Sequence, residues 1–320
     1  MYRILVYGAG AIGSAIAYLL SDKNCSGAVQ DVALLGRAGH MARIRESGLD
    51  VEWTDGRKNV RFEHCFSSLE ELDASAFVPD LVIICVKTKD LPAVGRDLAE
   101  GGQMNGKLRD SEFLLMMNGM GNKQAFGLDS PSVQEGTTFM GVVFAKDGHI
   151  QLRGKGATVV SPHVRPKTAE FLSDRFGRMG FEVAFPKDFH VQQWNKLIVN
   201  AVINPLTALC GCCNGMVLSA TLRPIVEGIV REAVAVAITE GVDVGFERSL
   251  DTVLGVAQRT AKNNSSMLQD IRRGRKTEID SINGYIVSLA AKRGIDVPMN
   301  RTLLSLVKML EGGMTNSGVC

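Results

Sequence analysis

Long apolar runs are missing from this chain. The longest, such as Leu81–Val86 and Ile198–Ile203, fall far short of the ~20 residues a membrane-spanning helix requires, so no spanning segment is expected. An excess of one charge is missing as well: 36 Lys and Arg stand against 34 Asp and Glu, giving a formal charge of +2 with no basic block. Nucleic acid and anionic membrane surfaces are therefore not expected as partners. Cysteines occur at seven positions (Cys25, Cys65, Cys85, Cys210, Cys212, Cys213, Cys320), an odd number without a framework spacing, which reads as reduced thiols. The Cys210–Cys213 cluster lacks a matched second pair or a histidine neighbour, so no metal site is expected there. The strand pattern at Ile4–Val6 starts directly after Met1 and leaves no space for an export signal. The expected setting is soluble and cytoplasmic.

What is there fits an ordinary globular protein: 320 residues, 45% hydrophobic and 22% charged, enough for two domains with their own cores. The opening YRILVYGAGAIGSAIAYLL reads as a buried strand, a glycine turn and an amphipathic helix. Gly8, Gly10 and Gly13 have the GxGxxG spacing of a dinucleotide site. The first permits the turn, the second lets backbone approach a pyrophosphate, the third allows close helix packing, and the helix N-terminus faces the anion. Gly8, Ala9, Gly10, Ala11, Ile12 and Gly13 are the expected cofactor contacts.

A second strand, Val32–Leu35, ends in Gly36-Arg37, where an NAD-specific site would carry an acid for the ribose hydroxyls; Asp31 is at the wrong end. NADPH is the expected cofactor, with Arg37 forking onto its 2′-phosphate for roughly 1.5–3 kcal/mol; the alternative is a solvated surface arginine. Strands Leu81–Val86 and Phe113–Met117 end in Lys87 and Asn118, at the sheet edge where ligands bind, although each could be a loop residue or helix cap. Between Thr138 and Val160 short strands follow, with a hairpin turn at Asp147-Gly148, and the sheet is expected to gain antiparallel strands here. A helix over 168–179 and a strand near 182–184 complete this domain. The reading is a Rossmann-type α/β dinucleotide-binding domain over 1–187, then an all-α domain over 188–320 with a flexible tail at about 312–320.

The helical half opens on WNKLIVNAVINPLT, where Lys196, Asn200 and Asn204 recur every four residues along one face of an otherwise apolar helix. Burying an ammonium and two amides costs several kcal/mol unless each is hydrogen-bonded. The row marks a polar network or a ligand pocket. Pro205 bends the helix and frees the carbonyl of Ala201, which favours a site. Asp188 reads as the N-cap. Helix stops are expected at Gly241 and Gly294, and the segment from Ser265 reads as one helix with Ile279, Ile282, Ile286 and Leu289 as its core stripe. Glu278 borders that stripe, a position more often structural than functional.

Taken together, GAGAIGS, CVKTKD, MNGMGN, WNKLIVNAVINPLTAL and SSMLQDIRRGRKTEID with INGYIV resemble the ketopantoate reductase family, the 2-dehydropantoate 2-reductases of pantothenate and coenzyme A synthesis. The likeness covers nearly the whole chain; only the CGCC segment and the GGMTNSGVC tail depart from it. It implies that Lys196 is the catalytic lysine and Glu278 the substrate-binding acid. It further implies that Asn118, Asn200, Asn204, Asn263 and Ser266 surround the substrate, while Arg37 and Lys87, with Asn118, contact NADPH.

The implied chemistry suits these residue types. As hydride reaches the 2-oxo carbon of ketopantoate, the oxygen gains charge, and a lysine can neutralise and protonate it. Histidine is poorly placed for that task, since His40, His64, His149, His163 and His190 belong to none of the motifs. Glu278 suits the substrate's distal hydroxyl and would select against simple 2-oxo acids by as much as ~10⁴. Three rivals remain: a paralogue acting on another branched 2-oxo acid, an NADPH-sensing protein without turnover, and a 6-phosphogluconate-type or 3-hydroxy-acid oxidation. The expected assembly is a monomer or weak homodimer.

Overall fold

The computed structural model describes residues 2–21, 27–53, 56–100, 106–128, 130 and 132–315; Cys25, Cys320 and the end of the tail lie outside them. Two compact units form: the segment up to Met117 with Asn122–Phe189, and Asn118–Gly121 with the segment from His190 onwards.

The first unit alternates strand and helix. It runs β1 (Ile4–Tyr7), α1 (Ala11–Leu20), β2 (Val29–Leu35), α2 (Ala38–Ser47), β3 (Leu49–Trp53), β4 (Gly56–Val60), β5 (Phe62–Phe66), α3 (Leu69–Ala74) and β6 (Leu81–Ile84). It continues through α4 (Leu91–Glu100), β7 (Glu112–Met116), α5 (Asn122–Phe126), β8 (Val133–Thr138), β9 (Gly141–Lys146), β10 (His149–Gly154), β11 (Thr158–Val160), α6 (Pro166–Arg178) and β12 (Val183–Ala184). The main sheet has the order β12-β11-β8-β7-β6-β1-β2-β5. β1 lies between β2 and β6, parallel to both, with Ile4 opposite Val32 and Leu81. Its alternate residues feed different cores. Ile4 and Val6 pack with Ile16 of α1 and Phe176 of α6, whereas Leu5 joins Leu98 of α4 and Phe126 of α5. A two-residue period divided between two helical layers is what a buried parallel sheet requires.

Several expectations change here. The hairpin at Asp147-Gly148 forms, but β9 and β10 leave the main sheet and build a second one in the order β4-β3-β10-β9. The main sheet gains its antiparallel pairing from β11 against β8 instead. The second strand begins at Val29, which puts Asp31 inside it, paired with Arg175 of α6. That ion pair explains an acid so far from the tip.

The second unit holds α7 (Phe189–Cys210), α8 (Arg223–Thr239), α9 (Phe246–Arg259), α10 (Ser266–Arg272), α11 (Asn283–Arg293) and α12 (Pro298–Thr315) around a core of its own. α7 starts directly after Asp188 and continues through Pro205. Past α8, Gly241 has φ +75°, and α11 ends on Gly294 at φ +66°, the left-handed conformation glycine adopts without penalty. The single helix expected from Ser265 is broken. α10 stops at Arg272, Gly274 turns with φ +63°, and one 3₁₀ turn over Ile279–Ser281 precedes α11. The cause is the polar run RRGRKTE, which offers no apolar residue to hold a helix against the core. Ile279, Ile282 and Ile286 are nevertheless buried, so the stripe exists on two elements rather than one. α12 remains helical to Thr315, beyond the expected start of the tail. Among the described residues no helix is long and apolar enough to cross a membrane.

Candidate active site

The cofactor candidates belong to the first unit, apart from Asn118, which falls in the second. Gly8 has φ +92°, and a Cβ there would lie 2.8 Å from the Cys85 carbonyl carbon and the Val86 amide. A Cβ on Gly13 would meet the Gly8 carbonyl oxygen at 2.4 Å. Both positions therefore exclude any larger residue. Gly10 differs: nothing but the Gly8 oxygen, at 3.9 Å, approaches a Cβ built there. That open side lies at the start of α1, where the amides of Ala11, Ile12 and Gly13 have no acceptor within the helix. The Ser14 amide is the first to be bonded within it, donating to Gly10 at 3.0 Å. Space without a Cβ, backed by first-turn donors, fits a pyrophosphate.

The Leu35 carbonyl accepts from the amides of Gly8 at 2.9 Å and Ala9 at 3.0 Å, which ties the glycine turn to the tip of β2. Arg37 follows as the N-cap residue of α2, its side chain exposed and its Cζ 5.2 Å from the Phe144 ring centroid. No acid occupies the Leu35-Gly36-Arg37 tip. Lys87 caps the 3₁₀ turn Thr88–Asp90 and is half-buried.

His40, unassigned by sequence reasoning, turns out to be a buried joint. Its Nδ1 accepts from the Gly148 amide at 2.8 Å, so Nε2 carries the proton and donates to Ser14 Oγ at 3.1 Å. Burial pushes its pKa down to about 4, with Asp147 opposing and Arg37 reinforcing the shift. No motif signalled this role, because His40 and its two partners lie on three separate elements.

The polar row of α7 belongs to the second unit. Lys196 and Asn200 are half-buried, while Asn204 is buried. Desolvation lowers the Lys196 pKa to about 8, and the carboxylate of Glu278 pulls it partly back. Glu278 sits at the entry to the 3₁₀ turn, and its Oε2 accepts from Asn118 Nδ2 at 3.0 Å. Asn118 is presented by a tight turn. Gly119 has φ +77° and a Cβ there would lie 2.4 Å from the Ser281 oxygen, while the Met120 amide donates to that oxygen at 3.2 Å. Lys196, Glu278 and Asn118 are thus brought into one cluster.

Asn263 and Ser266 belong to the same unit. Both are exposed, and they attach near the far end of α7. Asn263 accepts from the Asn214 amide at 2.9 Å, and Ser265, not Ser266, caps α10 by accepting from the Leu268 amide at 3.1 Å. Thr207 Oγ1 donates to Ser265 Oγ at 2.7 Å. Sequence reasoning missed the Thr207–Ser265 pair, although Thr207 stands three residues after Asn204 on the same face.

Pro205 leaves the Ala201 carbonyl without a helical donor, and Asn283 supplies one, its Nδ2 lying 3.0 Å from that oxygen. The same Nδ2 is 3.0 Å from Asn300 Oδ1, and Asn300 Nδ2 donates to Glu232 Oε2 at 2.8 Å. The carbonyl freed by Pro205 is therefore held by a chain of side chains, with Asn283 and Asn300 buried and Glu232 half-buried.

Five thiols, Cys65, Cys85, Cys210, Cys212 and Cys213, are free. Among the described residues no group of three or more His, Cys, Asp or Glu side chains is arranged to hold a metal ion.

Comparison with known proteins matches this layout unit by unit. Residues 4–165 match the family model of ketopantoate reductase PanE/ApbA, and residues 188–311 match that of its C-terminal domain. A 2-dehydropantoate 2-reductase of Halobacterium salinarum is 33% identical over 97% of this chain and 99% of its own. A PanE/ApbA family ketopantoate reductase structure from Ralstonia eutropha JMP134 superposes with TM-score 0.84 at 26% identity, covering 98% of this chain and 99% of that one. D-mandelate dehydrogenase, solved with NADH and anilino(oxo)acetate, shares the fold with TM-score 0.85 at 24% identity over 98% of this chain and 99% of its own. With both halves matched in order and the relatives spanned almost end to end, the chain belongs to the ketopantoate reductase family, whose members are NADP-dependent oxidoreductases.

Proposed function

We propose that the chain reduces 2-dehydropantoate to pantoate with NADPH, and that Lys196 is its general acid. The observation that carries this reading is the cluster of Lys196, Glu278 and Asn118 within the helical unit. The glycine turn, the first-turn amides of α1, Arg37 and Lys87 are the groups that would hold the cofactor, which supplies hydride to the 2-oxo carbon when bound. As that carbon is reduced its oxygen becomes negative, and the Lys196 ammonium both stabilises the charge and gives up a proton. A lysine with a pKa of about 8 is charged at neutral pH yet a far better donor than one at the ordinary value near 10.4. Glu278, fixed by Asn118, accepts the hydrogen bond of the distal hydroxyl. Asn200 and Asn204 orient Lys196 or the substrate, and the hydroxyl of Ser266, with Asn263, serves the substrate carboxylate.

The exposed free thiols Cys210, Cys212 and Cys213 support a reducing, cytoplasmic setting. The assembly is read as a monomer or weak homodimer. The test is oxidation of cofactor followed at about 340 nm, an absorbance specific to the reduced nicotinamide. Ketopantoate and 2-oxoisovalerate are compared, each with NADPH and NADH. Fast turnover with ketopantoate and NADPH alone is the expected result. Equal rates on both acids would overturn the role of Glu278, and NADPH binding without turnover on either would overturn the assignment of substrate.

A further inference from the structure

We propose that Phe144, on β9 of the second sheet, is a positioning residue for cofactor choice: its ring holds the Arg37 guanidinium in place for a 2′-phosphate. The inference rests on the reading above in which Arg37 meets that phosphate. Arg37 is exposed on a long side chain, and ordering such a side chain costs affinity unless something orders it beforehand. Phe144 does so from a fixed place. The guanidinium carbon lies 5.2 Å from the ring centroid, inside the ~6 Å range of a cation–π contact.

The ring is itself held. It packs on the His40 imidazole at 4.9 Å with a tilt of 55°, and His40 is pinned between Ser14 of α1 and the Gly148 amide of the β9–β10 turn. One hairpin thus braces both α1, which follows the glycine turn, and the arginine at the tip of β2. Burial keeps His40 neutral at physiological pH, so no second cation repels Arg37 from within the stack. Asp147 in the same turn directs its Oδ2 to within 2.9 Å of where a Cβ on Gly39 would lie. The first turn of α2 already faces a carboxylate, against which Arg37 supplies a positive charge at this tip.

The test is calorimetric titration of NADPH and NADH into the full chain and into Phe144→Leu, Phe144→Met, Phe144→Tyr, Arg37→Ala and Arg37→Ala/Phe144→Leu. Losing the ring face is expected to raise the Kd for NADPH about two- to fivefold, the usual worth of an exposed cation–π pair, with the Kd for NADH unchanged. Phe144→Tyr is expected to keep the wild-type ratio, and Phe144→Leu to add nothing once Arg37 is gone. Equal weakening of both cofactors by Leu and Met would overturn the inference in favour of a structural ring. NADPH affinity that falls in Arg37→Ala but survives in both Phe144 variants would overturn it while leaving the Arg37 reading intact. An Arg37→Ala protein with unchanged NADPH affinity would remove both.

Discussion

Lys196 answers to two opposed influences. Burial disfavours its ammonium, and the neighbouring Glu278 carboxylate favours it, with a net value of about 8. In the reductive direction the charged form is competent, so kcat/KM is predicted to be level on the acid side and to fall as pH rises through about 8. Glu278→Gln removes the influence that raises the pKa, so the falling limb should move to lower pH. A profile over roughly pH 6 to 10 in both proteins checks this, with Lys196→Ala as control, expected to lose ~10²–10⁴ in kcat while still binding NADPH. A limb that stays in place in Glu278→Gln would assign the titration to another group. Lys196 stood out in the sequence because an ionisable side chain contrasts with the apolar residues around it in α7, whereas Glu278, in the polar run RRGRKTE, was singled out only by the family resemblance. Their pairing was not legible, since 82 positions of sequence separate Lys196 from Glu278 and only the fold closes that distance.

At the scale of elements, Pro205 within α7 illustrates how much a local pattern can say. Pro205 predicts an orphaned Ala201 carbonyl from stereochemistry alone. The donor that satisfies it, Asn283, stands at the start of α11 and is fully buried. Asn283→Ala should therefore leave a buried acceptor unpaired and cost about 1–3 kcal/mol. Urea denaturation reads this as a lower midpoint at unchanged slope. Wild-type stability in that variant would mean that the carbonyl finds another donor. The glycine turn between β1 and α1 was equally readable, because the Gly8–Gly13 spacing that carries it is local, although Leu35, Cys85 and Val86 pack around it from distant positions. Two features were not. The helix expected from Ser265 onward rested on isoleucines that are indeed buried, yet periodicity could not reveal that RRGRKTE interrupts it. The β9–β10 hairpin was visible through Asp147-Gly148, but pairing of β10 with β3 joins strands about a hundred residues apart, which no local signal encodes.

At the scale of the molecule, the hydrophobic clusters follow the two units. Those built on the main sheet and its helices belong to the first, and that of α7 to α12 to the second. Periodicity places the change from strand to helix near residue 188 because the pattern itself changes there. It has no means of assigning Asn118–Gly121, whose Met120 packs against the helical cluster although β7 immediately precedes it. Separate cores imply separate responses to a ligand that touches mainly one of them. Of the expected NADPH contacts, the glycine turn, Arg37 and Lys87 lie in the first unit and Asn118 in the second, so NADPH at a hundredfold over its Kd should stabilise chiefly the first unit, by about 2.7 kcal/mol. Scanning calorimetry should then resolve two transitions, of which NADPH moves the one belonging to the first unit further than the other. Arg37→Ala should diminish that movement, while Lys196→Ala, a change confined to the second core, should not. One transition displaced as a whole by NADPH would show instead that the two cores unfold as a single cooperative body.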